Sequence, residues 1–190
     1  LITGTGTVLM QGGSLTLSNA SNSYTGGTLE VGGTATGAGV VNRITTRGDL
    51  VLTGIQTLIA PWIVSSISGS GSLLLGTYSI YIGTPGSLAS TTYSGDISGS
   101  GSVNLIGGTL TLSGNNTYTG GTNVSGGTLT LGSTTALPNN YGVSISGDGN
   151  LNIAGNTVSI GSGVASITGS GTSSIQNTGS STVLKKSVET

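Results

Sequence analysis

Leucine and threonine alternate along two stretches of the chain in a pattern that suits an extended strand. Leu110 and Leu112 each follow a threonine, as do Leu129 and Leu131, so each stretch has one apolar face and one hydroxylated face. Between them lies a polar turn carrying Tyr118 and the pair Gly120-Gly121. Leu110 and Leu129 are 19 residues apart, about the length of one coil of a parallel β-solenoid, in which each coil lies on the last and extends a common core. The same period of two recurs in Leu15/Leu17, Leu29/Val31, Leu73/Leu75, Ile80/Ile82, Val143/Ile145, Leu151/Ile153 and Val158/Ile160. The pattern predicts short strands throughout.

The unit around Tyr118 has an earlier counterpart. Ser14-Leu15-Thr16-Leu17 leads through Asn22-Ser23-Tyr24-Thr25-Gly26-Gly27-Thr28 to Gly32-Gly33-Thr34, with Tyr24 offset by 94 residues from Tyr118. A shorter motif, Ile-(Ser/Thr)-Gly-x-Gly, starts at Ile2, Ile67, Ile97, Ile145 and Ile167, at intervals of 65, 30, 48 and 22. Three of these intervals fall near multiples of roughly 22, as expected of coils that have lost the motif or gained loops.

Residues 109–131, Thr-Leu-Thr-Leu-Ser-Gly-Asn-Asn-Thr-Tyr-Thr-Gly-Gly-Thr-Asn-Val-Ser-Gly-Gly-Thr-Leu-Thr-Leu, resemble the autotransporter-associated β-strand repeat, also called the passenger-associated transport repeat. Residues 93–103 are similar to the segment that precedes it, and residues 2–34 form a second copy. The resemblance covers about half the chain and marks an architecture rather than an activity. It implies a right-handed parallel β-helix in a secreted passenger domain of a Gram-negative bacterium, tethered to an outer-membrane barrel. The expected fold is therefore all-β: one β-solenoid over residues 1–190, of about eight or nine coils with roughly 19–24 residues each. The chain starts inside a repeat motif, so we expect it to be a piece of a longer array. With strands ~4.8 Å apart up the axis, that many coils would make a rod of roughly 40 Å.

Composition narrows the alternatives. Only four basic and five acidic side chains occur, and the net charge of −1 argues against nucleic acid or an anionic membrane as partner. Glycine accounts for 37 residues without a period of three, which excludes collagen and disfavours helix. Glycines, and asparagines that tolerate the left-handed conformation, are expected at the corners, with Asn115-Asn116 and Asn139-Asn140 at turns. No apolar run approaches the ~20 residues of a membrane-spanning helix, so no direct membrane insertion by this segment is expected. Residues 37–66 stand apart, with Arg43, Arg47, Asp49 and the apolar run 55–64 around Pro61 and Trp62. They read as atypical coils or a loop insertion.

An inventory of chemistry points away from catalysis. The chain has no histidine and no cysteine, which removes the Ser-His triad, the cysteine nucleophile and the common zinc sites. Asp96 and Asp148 each lie next to glycine and read as solvated turn residues rather than a glycosidase pair. Gly147-Asp148-Gly149-Asn150 is a single stretch, whereas a calcium roll needs tandem copies. No enzyme, cofactor or metal site is expected. Trp62, Tyr78, Tyr81 and Tyr93 are candidates for an aromatic surface facing host or surface glycans, against the plainer reading of a corner filler (Trp62) and a ladder of solvent-reaching hydroxyls (the tyrosines). Leu1, Ile2, Val183 and Leu184 are candidates for an end-to-end interface with another copy or an adjacent coil, and the charged stretch at 185–189 is a candidate cap. Two functions follow: a stalk segment of a surface-displayed passenger used for display or adhesion, or a subunit stacking end to end into an extracellular filament. A carbohydrate-active β-helix is a distant third.

Overall fold

A computed structural model describes the backbone of residues 49–156 apart from 59, 140 and 141, together with short strands on either side. Side chains are described over residues 50–156 except 53, 54, 59, 140 and 141, and at 174 and 175. Every pairing of the described strands is parallel. The strands stack as a β-solenoid with no described helix. Each coil hydrogen-bonds to the coil before and after it, so the sheet runs along the rod.

One core column shows how the coils are counted. Leu50 pairs with Ile67, the next coil brings Thr91 to the same column, and Leu110, Leu129 and Leu151 follow, about five turns between Leu50 and Leu151. The strand ladder continues to Leu15 and Ala35 on one side and Ile175 on the other. Coil length varies more than the 19–24 residues expected, from 15 between Ala35 and Leu50 to 24 between Leu151 and Ile175. The corners set this variation. Three residues separate Leu58 from Trp62, whereas nine separate Leu112 from Thr122. The described strands among residues 37–66 pair into the same ladder through short coils.

Alternation fills the interior as the pattern requires. Val103, Leu105, Leu110 and Leu112 of strand Val103–Leu112 are buried, and so are Val124, Leu129 and Leu131 of Thr122–Leu131. A second column runs Trp62, Ile80, Val103, Thr122, Val143. A third holds Gly39, Gln56, Leu73 and Ile97, and the side chain of Asn116 reaches into it from the next coil. Gln56 is 1 % exposed, and neither Nε2 nor Oε1 of its amide has a hydrogen-bond partner. A buried amide left in that state costs about 1–3 kcal/mol. It is the one such group among the described residues.

Candidate functional site

The feature that sets this chain apart is the nine-residue corner between Leu112 and Thr122. It is not a strand, yet it is stacked like one. The N–H groups of Ser113, Thr117, Thr119 and Gly120 donate to the carbonyls of Tyr93, Ile97, Gly99 and Gly101 in the coil before. The N–H of Asn116 donates the other way, to Thr135 O in the coil after.

Two side chains lock the corner from inside. Asn116, 4 % exposed, accepts the Ile97 N–H on Oδ1 at 2.8 Å and donates from Nδ2 to Ala136 O at 2.6 Å. One amide therefore satisfies buried backbone groups in two neighbouring coils. Tyr118 is fully buried, and its hydroxyl lies 2.6 Å from Thr122 Oγ1, which fills a core position at the start of the next strand. Asn115, one residue before the bridging amide, points outward, and its N–H is held by Asp96 Oδ1 at 2.7 Å. The glycine pair closes the corner. A Cβ on Gly120 would come within 2.5 Å of the Gly101 carbonyl carbon, so only glycine allows the two coils to approach this closely. Gly121 has φ of +84°.

Asparagine's tolerance of the left-handed conformation is not used here. Among the described residues the one non-glycine with positive φ is Ala154, at 47°, while Asn116 serves through its side chain. Asn139 does lie in a turn, and Asn140 is outside the described residues.

The four aromatic candidates are divided between inside and outside. Trp62 and Tyr93 are fully buried and cannot form part of a surface platform. Both alternate with outward residues on their strands, and the Tyr93 hydroxyl donates to the carbonyl of Gly71. Tyr78 and Tyr81 are exposed at 38 % and 39 %. Leu1, Ile2, Val183 and the stretch 187–189 lie outside the described residues. The backbone of Leu184 pairs with Val158, so this position is in a ladder. Asp96 and Asp148 are not brought together. Asp96 sits at the Asn115 corner, whereas Asp148 pairs in register with Gly126 at another. Sequence reasoning missed a groove of about 590 Å³ beside Asp148, where the loop 85–88 overhangs a corner of stacked glycines. The lengthened link between Ile82 and Ser90, with Pro85-Gly86, was the available signal.

The passenger-associated-transport-repeat family matches residues 10–34 and 107–131. The second match spans the strand end, the locked corner and the strand that follows. The chain carries two passenger-associated transport repeats. Set on a parallel β-solenoid, they support an autotransporter passenger-like domain. No curated protein and no solved structure matches the chain significantly.

The locked corner in this passenger-like domain also predicts a response to alkali. Burial pushes the Tyr118 phenol well above the ordinary tyrosine value, against a smaller opposing effect of its bond to Thr122. Burial does the same to Tyr93, with the Asp96 carboxylate adding to it. Both raised values favour the neutral phenol in the fold, so their contribution is complete below the unfolded value of about 10. Above that pH the unfolded chain releases protons that the native chain keeps, and stability should fall by up to about 1.4 kcal/mol per pH unit for each tyrosine. Urea midpoints between pH 8 and 11 test this. The fall should be shallower in Tyr118→Phe, and a flat profile through pH 11 would refute it.

Proposed function

We propose that this chain is a stalk segment of a bacterial autotransporter-type surface protein, a rigid rod that holds an adhesive or effector region away from the cell. The observation that carries this reading is the pair of transport repeats on a continuous parallel ladder. A solenoid transmits load through backbone hydrogen bonds between successive coils, and its stacked corners leave few free segments for a protease to engage. On this reading the segment does no chemistry itself. The absence of histidine and cysteine from the sequence and the separation of Asp96 from Asp148 support that. On this reading the segment lies outside a Gram-negative cell, tethered to or released from the outer membrane, and the two transport repeats support that.

Fractionation of native cells, probed with an antibody against residues 108–132, tests the proposal. A single polypeptide far larger than 18.3 kDa in the outer membrane, or shed from it, is the expected result. A band near that mass that pellets as filaments would replace the stalk with an end-to-end assembling subunit.

A further inference from the structure

Three asparagines of the chain open the triplet Asn-x-(Ser/Thr) with no proline in the middle: Asn19, Asn115 and Asn123. That triplet is the acceptor of N-linked sugars, in which the amide nitrogen takes the sugar and the hydroxyl two residues on is read with it. In a chain this rich in serine and threonine the triplet alone means little, and the fold has to choose between the copies. Asn19 lies outside the described residues.

Exposure alternates residue by residue along the locked corner. Asn115, Thr117 and Thr119 are exposed, whereas Asn116 and Tyr118 are buried. The acceptor amide and its hydroxyl therefore stand outward together, beside the amide that bridges the coils from inside. Among the described residues neither the Asn115 amide nor the Thr117 hydroxyl makes a hydrogen bond; what each donates is its backbone N–H, to Asp96 Oδ1 and to Ile97 O. The lock does not account for this side chain either. In the first transport repeat Tyr24 stands at the place of Tyr118 and Asn22 at that of Asn116, but Ser21 stands at that of Asn115. Asn123 and Ser125 are exposed as well. There, however, Asn123 Nδ2 already donates to Asn104 Oδ1 at 2.8 Å, and Asn104 is 8 % exposed. A sugar on Asn123 would crowd that pair of amides, whereas a sugar on Asn115 displaces nothing.

We infer that Asn115 is an N-glycosylation site, with the sugar carried on Nδ2 at the outer edge of the corner. The co-reactant is a glycosyl diphosphate. Asn115 Nδ2 attacks its anomeric carbon, a C–N bond forms, and the C–O bond to the diphosphate breaks. The diphosphate leaves with the electron pair, and the proton lost from Nδ2 goes to a base of the transferase. The product sets a hydrated group on a stretch with no charge of its own, since no Asp, Glu, Lys or Arg occurs between Asp96 and Asp148. The inference rests on the residues of the corner and not on the stalk reading. An unmodified protein would sink it and leave that reading standing.

Mass spectrometry of the protein purified from its native cells tests the site. Cleavage before aspartate releases residues 96–147 as one peptide that carries both Asn115 and Asn123. The peptide should be heavier than its sequence by whole sugar units, and electron-transfer fragmentation should put the added mass on Asn115. A single sugar identifies a nucleotide-linked donor and a larger block a lipid-linked one, and either supports the site. Expressed in the same cells, Asn115→Gln and Thr117→Ala should each abolish the added mass. Thr117→Ser should keep it, and Asn123→Gln should leave it unchanged. The circular dichroism of Asn115→Gln should match that of the wild type, because the bond to Asp96 uses the backbone. An unmodified peptide, sugar on Asn123 or on a serine or threonine hydroxyl instead, or added mass that survives Asn115→Gln would each overturn the proposal.

Discussion

Asn116→Ala should destabilise the protein by about 2–6 kcal/mol, because it orphans two buried backbone groups at about 1–3 kcal/mol each. The Ile97 N–H loses its acceptor and the Ala136 carbonyl its donor, in coils on opposite sides of the substitution. Asn116→Asp separates the two bonds. A carboxylate can still accept from Ile97 but cannot donate to Ala136, and it carries a charge into a site 4 % exposed. A neutral carboxylic acid can make both bonds. Burial without a cation raises the folded value of this carboxyl above the ordinary ~3.9, so its stabilising form is complete below the unfolded value and is lost as pH rises through the folded one. Asn116→Asp should therefore approach wild-type stability near pH 3.5 and fall towards Asn116→Ala at pH 7. Urea denaturation of the three proteins at both pH values measures this. Equal losses for the aspartate variant at the two pH values would show that the amide does not bridge the coils.

Gln56 lies in the same interior column and carries the same functional group, but its amide bonds to nothing. The difference is one of surroundings. Asn116 sits on an irregular corner, where neighbouring coils present an N–H and a carbonyl not used up in strand pairing. Gln56 is within strand Asp49–Leu58, flanked in register by Gly39 and Leu73, and its own N–H is already given to Ser72 O.

That contrast also explains what the sequence made legible. The alternations Leu110/Leu112 and Leu129/Leu131 could be read as core because a strand has only two faces and one of them was polar throughout. Tyr118 and the glycine pair stood out by repetition. In residues 50–58 both faces carry apolar side chains, and the pattern there does not say which is inside. The parity set by Leu50 and Leu52 runs on through 56 and 58, so Gln56 is carried inward while Ile55 is left 64 % exposed. Trp62 and Ile63 posed the same choice, resolved by the pairing of Trp62 with Ile80 in the core column. Nor could sequence separate Asn115 from Asn116. Only the stacking of one corner on another decides which of the two amides faces the carbonyl of Ala136.

Glycine is where the sequence is most generous and least specific, and three substitutions should sort its roles. Gly86 has φ of +77° with nothing near a Cβ built on it, so Gly86→Ala bears conformational strain alone. Gly126 has no positive φ, but its Cβ would meet Ile106 O at 2.7 Å, so Gly126→Ala bears crowding alone. Gly127 has both: φ of +75° and a Cβ falling on the carbonyl of Gly108. With about 1–3 kcal/mol for each effect, Gly127→Ala should lose about 2–6 kcal/mol and exceed either single-cause variant. Backbone cannot retreat from backbone in a stacked corner, since Gly127 is held between Ile106–Thr109 on one side and Gly149 on the other. In a solenoid each coil depends on its neighbours alone, so the damage should also be local. Limited proteolysis of Gly127→Ala should cut near this corner and leave the coils around Trp62 intact, while Gly86→Ala should resist at residues 107–131. Uniform loss of protection along the whole chain in Gly127→Ala would mean that the rod folds as one cooperative body, and that its stability is not a sum over stacked coils.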